Sequence, residues 1–433
     1  MSDGRRAAIV GVGVKAPGGC DPATFWQAVL AGRGQAREIP ELADHHEVSA
    51  ASFGCEVSDD DSAHERYFRK PELRRIDDGA RLGVAAAADA MAGLDGLVPP
   101  ERRAAVVGTG VGGLRTYRTQ SALLHDVGVA RASPFTVPMM MPNSLAGWLS
   151  LRHGLQGPCH TIAAACASAA ASIGEAMIMI RDGRADMVVA GGAEAVMFTE
   201  VFVAFARMEA LAKPSERRPD EASRPFDVDR NGFVMGEGAG MVVLAAADVA
   251  RAADLDVLGW VDGYGCSSDA HHMAAPPEDG AGAVRSMIAA LHDAGLSSGD
   301  IVHINAHGTS TPRNDLAESR AIVTVFGDSC PPVTSTKGVT GHLLGAGGAV
   351  EAIAALIAAS TGIVPPVANT ETVDSEIAID VVTGSPRTVP VGPALSSSFA
   401  FGGHNASLVV SPVVGGADVL AGLQSVSGAS GPG

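Results

Sequence analysis

Two cysteines stand in the run QGPCHTIAAACASAAASIGEAM, residues 156–177, among small apolar residues. A strand-like GPCHTIAAA leads into Cys166 and a helix of small residues follows, so the Cys166 thiol falls at a helix N-terminus. Unpaired backbone N–H groups and the helix dipole favour thiolate over thiol there. Cys159 lies within the predicted strand, off any helix end, and is read as structural. Locally, Cys166 is either a nucleophile or a buried core thiol. Two histidines bear on that choice. His307 stands in NAHGTSTPRND and His342 in STKGVTGHLLGAGGAVEA, each at the end of a Gly-rich turn, with Lys337 five residues before His342. A thiolate can take up an acyl group. Two histidines can then hydrogen-bond the carbonyl of a second thioester as it becomes an enolate. Together these four side chains could run a thioester condensation.

Other spacings carry less. Gly11-Val-Gly13-Val-Lys-Ala16 and Gly108-Thr-Gly110-Val-Gly-Gly113 fit a dinucleotide-binding pattern. The first meets Pro17 where a helix should begin, and the second lacks an acid about 20 residues on. Both are read as tight turns after strands. His303 and His307 are four apart, but VHINAHGTST is strand-like and lacks the glutamate of a zinc helix, so no metal site is expected.

The elements that must position these residues alternate. Strands are predicted at 5–14 and 185–195, strands running into glycine turns within 102–114 and 301–311, and helices at 21–32, 80–94, 144–155, 167–183 and 282–296. A long polar, Pro-rich loop covers 211–236, the stretch 394–412 closes with a strand, and a loose tail begins at Gly415. This is an α/β protein whose two halves look alike. The expected division is 1–250 for the half with the cysteine, 251–414 for the half with both histidines and the lysine, and 415–433 for the tail.

The 433 residues are 46% hydrophobic and 18% charged, with a net charge of −17. That balance fits a compact globular protein and argues against a nucleic-acid or anionic-membrane binder. Six cysteines without a CxxC suggest reduced thiols, and no apolar run reaches about 18 residues, so a cytoplasmic location is expected.

At this point the sequence resembles the β-ketoacyl-ACP synthases with a Cys-His-His centre, the elongating condensing enzymes. The motifs are AACAS around Cys166, ASRPFDVDRNGFVMGEGAG, NAHGTSTPRNDLAE, STKGVTGHLLGAGGAVE and FGGHN, in order along nearly the whole chain. The resemblance implies a thiolase-like five-layer αβαβα fold of two duplicated halves, normally a homodimer. It implies that Cys166 accepts an acyl chain from acyl carrier protein and that His307 and His342 bind the malonyl thioester oxygen and assist decarboxylation. Lys337 would tune and position that pair through Glu351. The N–H groups of Cys166 and Phe401 would form the oxyanion hole, and Thr309 and Thr311 would bind the phosphopantetheine arm. Phe401 resembles the gate of the acyl pocket and Phe205 a lining residue. No metal or redox cofactor is implied, because the substrates ride on the carrier's phosphopantetheine.

Two positions depart from the pattern. Ala400 replaces the usual Gly between the two Phe residues of the closing loop, and its Cβ would bar positive φ. CASAAAS replaces a more polar start after the cysteine. The basic run Arg69, Lys70, Arg74, Arg75 is a candidate docking patch for the acidic carrier; it could equally be a solvated face paired with Asp59–Asp61 and Glu65. The mixture of motifs suits a fatty-acid enzyme or a free-standing type II polyketide ketosynthase, which could pair with a chain-length factor. The alternative, a non-catalytic chain-length-factor-like subunit, usually lacks the cysteine that this chain has.

Overall fold

The computed structural model describes residues 5–42, 52–57, 64–213 and 215–413. The tail expected at 415–433 and the acids Asp59–Asp61 lie outside the described residues.

Ten strands form one mixed sheet: β1 (Ala7–Lys15), β2 (Arg103–Gly108), β3 (Cys159–Ile162), β4 (Met187–Glu194), β5 (Gly238–Ala246), β6 (Gly259–Ser268), β7 (His303–Asn305), β8 (Val333–Thr334), β9 (Ala394–Ala400) and β10 (His404–Ser411). Their order is β8-β7-β9-β10-β6-β1-β5-β4-β2-β3. Adding five to each strand of the first half gives the second half, with the same pairing directions: β1–β5 and β6–β10 antiparallel, β4–β2 and β9–β7 parallel. The halves join where β1 meets β6, Ala7 to Val261 through Ile9 to Gly259.

Helices complete five layers. α2 (Asp78–Ala90) and α4 (Ser144–His153) cover one outer face. α5 (Ser168–Arg181) and α9 (Gly347–Thr361) fill the middle. α7 (Ala281–Ala294) and α8 (Pro312–Phe326) cover the other face. α1 (Pro22–Ala31), α3 (Leu114–Asp126) and α6 (Thr199–Arg207) lie at the periphery. The period-two alternation of β1 serves two cores at once: Ala7, Ile9, Val12 and Val14 face the middle helices, while Ala8 and Val10 face α2. A register shift between Ile9 and Gly11 lets the pattern change phase. A third core joins α7, α8 and the second half of the sheet.

The sequence forms these elements for ordinary reasons. Asp21 caps α1 by accepting from Ala23 N and Thr24 N, and Gly32 ends it in the left-handed conformation. α9 is buried from Gly347 through Ala359, and its alanines let both halves of the sheet approach. Residues 344–361 are long and apolar enough to cross a membrane by composition, but 89% of that stretch is buried in the middle layer.

Several expectations change. Gly11 and Gly13 are not in a turn: they lie inside β1, where a Cβ would stand about 2 Å from Ala90 O and Ala86 O of α2. Close strand–helix contact is their reason. The stretch 394–412 does close with a strand, β10, and the segment before its loop is a second strand, β9, so that the two form a hairpin folded back through Phe401–Gly403. β6 and α6 were not foreseen.

Candidate active site

Cys166 sits on an elbow between β3 and α5. Ala165 takes φ +47°, which a non-glycine residue adopts only when its surroundings impose it. Ser168 imposes it. Its hydroxyl accepts from Ala164 N at 2.8 Å and donates to Ala165 O at 2.7 Å, closing the turn before the helix. Gly108 passes against Ser168 so tightly that a Cβ would stand 2.5 Å from its carbonyl carbon. The Ala-rich flank therefore serves as packing against neighbouring backbone. Cys159 is half-buried on edge strand β3 and packs against the outer core.

The second half repeats this elbow. Leu344 has φ +49°, and Leu344-Gly345-Ala346-Gly347 leads into α9 as Ala165-Cys166-Ala167-Ser168 leads into α5. His342 stands just before that turn. Its backbone N–H donates to Val234 O at 2.7 Å, pinning it to the long loop that covers 211–236.

His307 lies just beyond the end of β7. Two carboxylates from the first turns of α8 reach back to hold its loop. Glu318 accepts from His307 N and Gly308 N, both at 2.7 Å, and Asp315 accepts from Thr309 N at 3.0 Å and Phe226 N at 2.8 Å. His303 is turned into the core with its ring fully buried, so the two histidines of VHINAH serve different surroundings.

These elements bring the predicted residues together. His342 Nε2 is 3.0 Å from Cys166 Sγ, and the His307 and His342 rings stand edge to face with centroids 5.3 Å apart. The Phe401 N–H donates to the Cys166 sulfur. Lys337 and Glu351 form a hydrogen-bonded ion pair, exposed by 1% and 3%. Burial holds both His307 and His342 well below the usual imidazole range, and the Lys337 charge pushes each further down. Burial drives the Cys166 thiol up to about 12, against the opposing pull of Lys337 and the Phe401 N–H. These shifts favour a neutral Cys166 thiol beside a neutral His342 imidazole. Burial thus opposes the thiolate that the helix end favours.

A cavity of about 600 Å³ runs to this centre, lined by Cys166, His307, His342, Thr309, Thr311, Phe399, Ala400 and Phe401 among others. Thr309 and Thr311 share a hydroxyl–hydroxyl hydrogen bond of 2.8 Å on its wall. Phe205 is absent from that lining. It stacks behind, 5.3 Å from Phe233 and 6.2 Å from Phe401, in an apolar cluster with Cys166, Phe202 and Leu344. Ala400 has φ −127° and ψ 157°, the last rung of β9, while the positive φ angles fall at Gly402 and Gly403. In this conformation its Cβ imposes no strain.

The basic run lies outside the lining of the cavity. Arg69, Lys70, Arg74 and Arg75 are all exposed. Lys70, Arg74 and Arg75 edge a shallow cleft with Ser133 and Phe135; Arg69 pairs loosely with Glu72, and Arg75 lies 4.5 Å over the Phe135 ring.

Three carboxylates that shape the site escaped the sequence reading. Asp315 and Glu318 were inside a quoted motif, NAHGTSTPRNDLAE. Glu194 ends the apolar strand ADMVVAGGAEA, and an acid at the end of a wholly buried strand was the available signal.

Known proteins resemble this chain along most of its length. Residues 4–250 match the family described as beta-ketoacyl synthase, N-terminal domain, and residues 258–371 match its C-terminal domain. A 3-oxoacyl-[acyl-carrier-protein] synthase 2 of Rhizobium meliloti (strain 1021) is 40% identical over 419 residues, covering 94% of this chain and 98% of the relative. The solved ishigamide ketosynthase/chain length factor superposes with a TM-score of 0.86 at 33% identity, over 94% of this chain and 99% of that one. A type II polyketide ketosynthase, solved in complex with its acyl carrier protein and bound to the hexaketide, also gives 0.86, at 27% identity over 94% and 100%.

Proposed function

The chain belongs to the beta-ketoacyl synthase family and is a condensing acyltransferase; from that premise we propose that it elongates carrier-bound acyl chains, with Cys166 as the nucleophile. The observation that carries the assignment is the shared sulfur: Cys166 Sγ lies 3.0 Å from His342 Nε2 and accepts from the Phe401 N–H at the end of the cavity.

Chemistry follows from the neutral pair. Cys166 attacks the thioester carbonyl of an acyl carrier protein as His342 Nε2 takes the thiol proton. The tetrahedral oxyanion collapses, the carrier's pantetheine sulfur leaves with a proton, and the acyl group stays on Cys166. The N–H groups of Cys166 and Phe401 are the oxyanion donors of this step. Malonyl carrier then enters, its pantetheine arm passing Thr309 and Thr311. Loss of CO2 leaves an enolate whose oxygen is held by His307 and His342. Neutral imidazoles suit that task as hydrogen-bond donors, His342 first passing from the Nδ1–H tautomer that accepts the thiol proton to the Nε2–H tautomer that donates, and Lys337 keeps them neutral. The enolate carbon attacks the acyl-Cys166 carbonyl, expels the thiolate and gives 3-ketoacyl carrier protein. Phe401 gates the acyl pocket and Phe205 backs it. Lys337 and Glu351 act together as the fixed charge pair behind the histidines.

The intact Cys166, His307, His342 and Lys337 disfavour the chain-length-factor-like reading. The pathway is fatty-acid elongation or the related type II polyketide assembly, in the cytoplasm. The carrier docks on Arg69, Lys70, Arg74 and Arg75, whose exposure on an otherwise acidic protein supports it. A second copy, or a chain-length factor, covers the face beside β3, where Tyr117, Val127, Val129, Val137 and Leu151 are each more than half exposed. Intact-mass analysis after incubation with acyl carrier proteins tests the central reading. One acyl adduct mapped to Cys166 and absent from Cys166→Ala is the expected result; no adduct with any donor refutes it.

A further inference from the structure

Glu194 ends β4, 1% exposed; it hydrogen-bonds neither Cys166 nor the two histidines, though its charge, when present, pushes the Cys166 thiol up. Its carboxylate is surrounded by donors from both halves of the molecule. Oε1 accepts from Thr109 Oγ1 at 2.9 Å, and Oε2 accepts from Gly110 N at 2.6 Å and Gly345 N at 3.2 Å. Gly345 occupies, in the second elbow, the place that Cys166 occupies in the first. The backbone N–H that would serve a nucleophile in that half is instead filled by a carboxylate. The crowding leaves no slack: a Cβ on Gly345 would stand 2.3 Å from Gly110 N and 2.5 Å from Glu194 Oε2.

The connections run onward in both directions. Thr109 O lies 3.2 Å from Ser168 Oγ, the hydroxyl that closes the Cys166 elbow. Gly345 is three residues beyond His342. The Cys166–His342 contact thus spans two loops from different halves; Glu194 is bonded directly to the His342 loop through Gly345, and to the Cys166 elbow through the Thr109–Gly110 turn that Ser168 touches.

We propose that Glu194 is a positioning residue of the condensation, a clamp whose reach sets the distance between the Cys166 elbow and the His342 loop. The inference rests on the assignment of Cys166 and His342 above. Reach, not charge, is the operative property. A glutamine can keep its carbonyl on Gly110 N and Gly345 N and turn its NH2 to Thr109 Oγ1, a rotatable hydroxyl that can accept. An aspartate keeps the charge but is one methylene short of spanning the two loops. Burial raises the Glu194 carboxyl to about 7, against the pull of the donors around it.

The test compares Glu194→Asp with Glu194→Gln, using kcat and KM for acyl and malonyl carriers and the pH profile of Cys166 alkylation by iodoacetamide. The expected result is a kcat loss of about 100-fold in Glu194→Asp, the scale of a misplacement near 1 Å, with KM unchanged and the alkylation profile displaced. Glu194→Gln should show the smaller loss of the two. A Glu194→Asp enzyme with wild-type kcat and alkylation profile overturns the proposal, as does a loss in Glu194→Gln equal to or greater than that in Glu194→Asp. If Glu194→Asp does not accumulate folded, Thr109→Val removes one anchor of the same clamp: a lowered kcat at constant KM supports the proposal and an unchanged kcat overturns it. Wild-type acylation on Cys166 is the control; its absence refutes the function assigned above, separately from the clamp.

Discussion

Replacing Lys337 by Met separates what the buried ion pair does for stability from what it does for chemistry. Lys337 and Glu351 are exposed by 1% and 3%, so neither charge can be relieved by water. Met fills nearly the lysine's volume but leaves the Glu351 carboxylate without its cation. Removing one partner of such a pair costs about 3–5 kcal/mol, whereas replacing both with apolar side chains is near neutral or stabilising. Lys337→Met should therefore lower the unfolding free energy by about 3–5 kcal/mol, and Lys337→Met with Glu351→Leu should restore most of it. Chemistry should not be restored. Lys337 helps hold His307 and His342 below the usual imidazole range and pulls the Cys166 thiol down against burial. Without it the histidines protonate at higher pH and the thiol ionises less readily. In the double variant, the acid limb of malonyl decarboxylation should move to higher pH, and Cys166 acylation should be slower than in the wild type. Urea unfolding and single-turnover pH–rate profiles read the two effects. A single substitution costing under about 1 kcal/mol, or one that the second change does not rescue, would refute the buried-charge argument. An unmoved acid limb in the double variant would refute the electrostatic role of Lys337.

Three further outcomes follow from the same structure. Burial depresses His303 to about 3, well below its unfolded value near 6.5, so its contribution to stability is present above pH 6.5 and is lost on acidification. From pH 7.5 to pH 5 that loss is about 2 kcal/mol, so His303→Leu should gain about that much relative to the wild type over the interval; a constant gap in unfolding free energy contradicts it. Ala400 is unstrained as it stands, so Ala400→Gly should cost only about 0.5–1 kcal/mol but ease rearrangement of the 400–403 loop and alter the chain lengths produced; an unchanged product profile rejects the effect. Arg74→Glu with Arg75→Glu should raise the apparent KM for carrier-borne substrates about tenfold and steepen no other parameter; an intact KM removes the docking role.

What the sequence disclosed divides along physical lines. Cys166, His307, His342 and Lys337 were legible because each sits in a short run whose glycines and small residues mark a turn at a strand end. The alternating strands and helices, and the likeness of the halves, were legible from local pattern. Long-range carboxylates were not: nothing near Glu194 in sequence indicates that Gly345 will present its N–H to it. The opposing effect of burial on Cys166 was not legible, because a helix end is a local feature whereas complete burial is decided by the whole fold. The closing strand β10 was legible, whereas its partner β9 was not, because the polar run SSS in ALSSSFA hides a buried strand.

The two middle helices have a bearing on how the chain is made. α5 comes from the first half and α9 from the second, yet they share one core with both halves of the sheet. During synthesis, β1 through β5 can pair once residue 246 has emerged, but the inner surface of α5 has no cover until residues 347–361 follow. The nascent first half therefore carries a bare apolar face for about a hundred residues of translation, the interval in which chaperone capture or aggregation is decided.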